Sequence, residues 1–117
     1  MDTVTICVAS RDTTKARFVA AMNGKAQGNF ITFETLQQLA KTLTPMRWQI
    51  IQEMTGAGPI SIRELARRVD RDVKRVHEDV HALLNSGVLD RTESGEIVFP
   101  YGRVHVDFEI EPAAAHA

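Results

Sequence analysis

Two hydrophobic rhythms run through the chain, and their order predicts its elements. "TVTICVA" (residues 3–9) alternates and is rich in β-branched side chains, which predicts a strand. "SRDTTKARFVAAM" changes to helical spacing, with Ala16, Val19 and Ala20, joined by Phe18, on its apolar side. "NGKAQGN" reads as a linker and "FITF" as a second short strand. "ETLQQLAKTL" is a short helix with Leu36, Leu39, Ala40 and Leu43 at helical spacing.

From Thr44 the punctuation sharpens. "TPMRWQIIQEM" has Thr44 as N-cap and Pro45 at the first helical position, where proline loses nothing. Its expected buried stripe is Trp48, Ile51 and Met54, with Ile50 beside it, and "GAGP" stops the helix. "SIRE" is a capping box: the Ser61 hydroxyl can accept a backbone N–H while Glu64 reaches back. The helix "IRELARRV" buries Ile62, Leu65, Ala66 and Val69, and Asp70 with Arg71 makes the turn. A longer helix runs over 72–86, with Val73, Val76, Val80, Leu83 and Leu84 inward, and Gly87 supplies a left-handed stop. "VLDRTESGEIVF" predicts a hairpin around Ser94-Gly95. "RVHVDFEI" alternates strictly, with Val104, Val106, Phe108 and Ile110 on one face, as a half-buried strand does.

Helix, short helix, turn, longer helix and hairpin is the order of a winged helix-turn-helix. The expected fold class is α+β: a mainly helical winged helix-turn-helix domain with a β-hairpin wing and an added N-terminal strand–helix segment. The corresponding division is an N-terminal segment at 1–43 for dimerisation or partner binding, a DNA-binding domain at 44–110 and a flexible tail at 111–117.

Charge changes this picture only locally. A formal net charge of -1 predicts no nucleic-acid or membrane partner from bulk electrostatics. Between Ser61 and His77, however, six Lys/Arg stand against three Asp/Glu, so this region is basic. On the 72–86 helix Lys74, Arg75, Glu78 and Asn85 point away from the apolar stripe, and His81 lies on a flank. Arg71, Lys74 and Arg75 are the candidates for base readout. Arg63, Arg67 and Arg68 can reach phosphates, and Arg91 of the hairpin can meet the backbone, although Glu93 and Glu96 flank its tip. The residues expected at DNA are therefore Arg63, Arg67, Arg68, Arg71, Lys74, Arg75, Glu78, His81 and Arg91. The competing reading of this charge is a solvated helical face.

"HEDVH" (77–81) matches the H-E-x-x-H pattern of zinc enzymes. A catalytic zinc needs a third protein ligand. Leu84 and Gly87 stand where the extended pattern wants glycine and histidine, and His105 lies on a strand with no motif tying it to this helix. The match reads as accidental, with His77 half-buried at the edge of the stripe and His81 facing solvent or a phosphate. No glycine-rich phosphate loop or nucleophile elbow is present, so neither a catalytic site, nor a metal, nor a cofactor is expected. The single cysteine, Cys7, excludes an internal disulfide and reads as a buried small hydrophobe. No segment is long and apolar enough to span a membrane, so a cytoplasmic setting is expected.

"SIRELARRVDRDVKRVHEDVHALLNSGVLDR" resembles a family of MarR-like winged-helix transcriptional regulators of prokaryotes. The resemblance rests on Ile62, Arg63, Glu64, Leu65 and Ala66, then Arg71, Lys74, Val76, His77, Asp79, Val80, Leu83 and Gly87, and it extends from about Leu43 to Ile110. It implies a double-stranded DNA-binding regulator, acting as a homodimer and repressing by occupying an operator, with the 72–86 helix in the major groove. Some members resemble antitoxins, which implies a cognate toxin as an alternative protein partner.

Overall fold

The N-terminal alternation forms the strand it predicts, β1 (Thr3–Val8), but in the middle of a three-stranded sheet. The structure is a computed structural model and describes residues 2–9, 11–22, 28–110 and 112. After β1 come helix α1 (Arg11–Met22), strand β2 (Asn29–Phe33), and helices α2 (Leu36–Thr42), α3 (Pro45–Met54), α4 (Ile62–Val69) and α5 (Val73–Asn85). Three short strands follow: β3 (Asp90–Arg91), β4 (Ile97–Val98) and β5 (Arg103–Asp107). The protein is a small α+β molecule. Of the linker expected at 23–29, residues 23–27 lie outside the described residues and Asn29 already belongs to β2; the tail expected at 111–117, Pro112 apart, also lies outside them.

The sheet has the order β2-β1-β5, and both pairings are parallel. Ile6 stands opposite Ile31 on one side and Val106 on the other. Parallel neighbours require a long crossover. Between β1 and β2 this is α1; between β1 and β5 it is everything from β2 to β4. The segments 1–43 and 44–110 thus share one sheet. Val4, Ile6 and Phe33 join Leu39, Leu43, Met54, Leu65, Val80 and Phe99 in a single core. Each large side chain buried there contributes roughly 1.5–3 kcal/mol. Ile60 exchanges backbone hydrogen bonds of 2.9 Å with Ile97, which stitches the end of the α3–α4 connection to the β3–β4 hairpin.

Several expected stripes are corrected. On α1, Ala16 and Val19 are exposed, Val19 by 49%. Alanines bury little surface, so this face has little drive inward; Phe18's side chain lies outside the described residues. Ala40 of α2 is exposed because the short helix rests on Leu39 and Leu43. Trp48 is only half-buried, since Ile50, Ile51 and Met54 take the inward face of α3, roughly 100° or more from Trp48 at its centre. Val73, the first residue of α5, is 44% exposed where α4 has turned away. β5 ends at Asp107, and Val106, Phe108 and Ile110 are exposed, because no described element lies beyond this edge of the sheet.

Candidate nucleic-acid interface

The interface begins at α4. Ser61 Oγ accepts the Glu64 N–H at 3.1 Å, so the first half of the capping box forms. The second half does not. The Glu64 carboxylate instead accepts from Arg67 Nε at 3.0 Å and Arg68 Nε at 3.0 Å, three and four positions further along the helix, about one turn away. The hydrogen bond from Arg67, then that from Arg68, holds the Glu64 carboxyl at about 2, against an ordinary 4.5. Arg67 is raised in turn, chiefly by its hydrogen bond to Glu64. Two cations expected at phosphates therefore share one carboxylate. A depressed carboxyl stabilises the fold above its unfolded value and loses that contribution as pH falls. The cluster should thus be intact above pH 4.5 and dissolve toward pH 2. Carboxyl NMR titration should give Glu64 a midpoint well below 4.5; an ordinary midpoint would mean the arginines do not hold it.

The turn after α4 decides the fate of Arg71. Asp70 adopts the left-handed conformation, φ 53°, and Arg71 N–H returns to the Ala66 carbonyl at 3.1 Å, which closes α4. Arg71 is thereby turned inward: its Nη2 donates to Asp79 Oδ2 at 2.9 Å, and its side chain is only 14% exposed. The other carboxylate oxygen accepts from Arg47 Nε of α3 at 3.0 Å, while Arg47 Nη1 donates to the Thr42 carbonyl at 3.0 Å. Asp79 therefore ties α3, the α4–α5 turn and α5 together. Arg71 Nη1 is buried and makes no hydrogen bond among the described residues. Arg71, expected to read bases, is instead held by the half-buried Asp79 carboxylate.

Lys74, Arg75 and Glu78 stand on the outward face of α5, as expected, and are exposed. With Arg71, Asp72 and Asp79 they line an open polar cleft. A second cleft, between α4 and the start of α5, includes Arg63, Arg67, Asp72 and Val73. Asp72 caps α5, accepting the Arg75 N–H at 3.4 Å. Arg63, Lys74 and Arg75 take part in no ion pair among the described residues. Arg91 Nη1 donates to the Gly95 carbonyl at 3.0 Å, within the hairpin loop.

The two histidines exchange their expected places: His77 is exposed and His81 half-buried. Their rings lie 4.2 Å apart, with Nε2 atoms at 3.1 Å, so one nitrogen donates to the other. Among the described residues, no three His, Cys, Asp or Glu side chains are grouped to hold a metal ion, and His105 does not join this pair.

Arg47 is the residue that sequence reasoning missed. Its partner Asp79 carried a faint signal, an acidic residue next to the buried stripe of α5. The pairing spans 32 positions and no local pattern announces it.

The class these features define is a small α+β protein whose longest described helix after the crossover is clamped inward on one side and on the other presents cations in no ion pair among the described residues. Within that class, the chain belongs to the HVO_A0114 family, whose pattern matches residues 42–106. That span holds the whole clamp and the cationic face but not β1, α1 or β2. No curated protein matches the chain. Among the described residues, no helix is long and apolar enough to cross a membrane.

Proposed function

We propose that the chain is a sequence-specific double-stranded DNA-binding regulator of winged helix-turn-helix type. In this reading α4 and α5 are the helix-turn-helix, α5 enters the major groove and the β3–β4 hairpin is the wing. The observation that carries it is the outward face of α5: Lys74 and Arg75 are exposed and without an ion pair among the described residues, with Arg63 beside them, on a helix fixed from behind by Asp79. At 13 residues α5 is about 20 Å long, and a groove about 12 Å wide accepts it. Lys74 and Arg75 suit guanine edges, and Glu78 can accept from cytosine N4. Arg63, Arg67, Arg68 and His81 flank the groove at phosphates, the middle two weakened by Glu64. Two copies on one operator would block polymerase, the simplest form of repression.

Fluorescence anisotropy with a duplex from the gene's own upstream region, beside a scrambled duplex and across a salt series, tests this. Selective binding that weakens with salt is expected, the slope giving the number of phosphate contacts. Equal, weak binding to both duplexes would leave the cations as a solvated surface.

A second reading is supported by α1. Val19 and Met22 are 49% and 72% exposed on a helix outside the family span, which suits protein contact. As an antitoxin the chain would neutralise a cognate toxin there and bind DNA secondarily. A small toxin-like reading frame beside its gene, with a stoichiometric complex of the two products, would favour that view.

A further inference from the structure

We propose that β5 is a homodimer interface: two copies pair antiparallel along its outer edge, with His105 on the two-fold axis, into one six-stranded sheet of order β2-β1-β5-β5-β1-β2. β5 is an edge strand among the described residues, paired only with β1. An open strand edge invites another strand unless something covers it. A closed two-fold interface must set a strand against itself, and such a pair is antiparallel.

The sequence of β5 is self-complementary in that arrangement. With His105 on the axis, Arg103 stands opposite Asp107 of the second copy, and Asp107 opposite its Arg103. Opposite charges directly across an antiparallel pair attract, whereas like charges there repel. On the other face Val104 meets Val106 of the second copy, and the reverse. This register pairs all five residues of β5; moving the axis by one residue leaves part of the strand facing residues outside it.

The backbone is turned to suit. Ala9 N–H donates to the Phe33 carbonyl at 2.9 Å, so the odd positions of β1 aim at β2 and its even positions at β5; with Thr3 opposite Arg103, the odd positions of β5 aim at β1. Alternation then turns the N–H and C=O groups of Val104 and Val106 outward, which makes Val104 with Val106 of the second copy the hydrogen-bonded pairs of the new ladder and His105 with its counterpart a non-hydrogen-bonded pair. The apolar face continues the pattern. Val104 and Val106 line an open groove with Trp48, Ile51, Gln52 and Thr55. Val106 is 42% exposed and Phe108, just past the strand, 37%. Pairing brings the two grooves together across the axis and covers the valines that one copy leaves in water.

The inference does not rest on DNA binding, and its test needs no DNA. Sedimentation equilibrium of the full chain should give a dimer. Arg103→Asp sets four carboxylates at the interface and Asp107→Arg four cations. Each alone should weaken association by about 10-fold or more. Mixed in equal amounts, the two variants should re-associate, because every opposing pair is then of opposite charge. As a check independent of charge, His105→Cys should form an intermolecular disulfide on mild oxidation, since non-hydrogen-bonded antiparallel partners lie about 4.5 Å apart at Cα, within disulfide reach. A wild-type monomer up to its solubility limit, a variant that dimerises as tightly as wild type, or a mixture that stays dissociated would overturn the proposal.

Discussion

Asp79→Ala should destabilise the protein by about 3 kcal/mol, the largest effect expected of any single charged residue here. The carboxylate accepts from Arg47 at 3.0 Å and Arg71 at 2.9 Å, and the three side chains are only 14–22% exposed. Removing it leaves two half-buried cations without the carboxylate they share, and their desolvation is no longer offset. Breaking a buried pair by deleting one partner typically costs about 3–5 kcal/mol; some residual exposure sets this case at the lower end. Urea unfolding should show an earlier midpoint with an unchanged slope, and the melting temperature should fall by about 10 °C. A loss under about 1 kcal/mol would class the cluster with surface ion pairs, which hold nothing together. Arg71→Ala should also destabilise, since it strips Asp79 of one partner. Any effect of that variant on DNA should follow the loss of fold.

The double variant Lys74→Ala, Arg75→Ala should do the reverse. Both side chains are exposed and neither joins an ion pair among the described residues, so stability should change by no more than about 0.5 kcal/mol. Operator affinity should fall by about 100-fold, as expected when two side chains that each discriminate by about 1–3 kcal/mol are lost. The salt series separates their roles. A residue on a phosphate lowers the salt slope by about 1 when removed, whereas one on a base edge mainly relaxes sequence preference. Unchanged affinity in a folded double variant would move the reading surface off α5.

The contrast between Arg71 and its neighbours shows where sequence reading stops. Arg71, Lys74 and Arg75 look alike in sequence, three basic residues at the mouth of a helix. Helical phase separates them only partly, because Arg71 precedes α5 and has no phase on it. The left-handed Asp70 and the carboxylate eight positions ahead decide that Arg71 turns in. Ser61 gives a similar lesson. Its hydroxyl caps α4 as the motif predicts, yet Glu64 prefers two guanidinium groups to a backbone N–H, since charged donors bind a carboxylate more strongly than neutral ones.

Local rules with a short reach were legible. Thr44 and Pro45 open α3, Asp72 opens α5, Gly87 takes φ +82° after it, and Leu65, Ala66, Val69, Val76, Val80 and Leu83 are buried where the helical period places them. These depend on a residue and its neighbours within a turn or two, and the chain carries that information in order. The partnership of β1 with β5, across about 100 residues of chain, was not legible, and neither was the carboxylate shared by Arg47 and Arg71. Alternation shows that a strand has an apolar face but not which strand lies beside it. A charge shows that a partner is needed but not which one. By itself the sequence determined where α3, α4 and α5 start and stop and most of what α4 and α5 bury, because those energies are local; the tertiary structure alone decided which strands neighbour one another and which arginines share a carboxylate, because those depend on contacts between residues far apart in the chain.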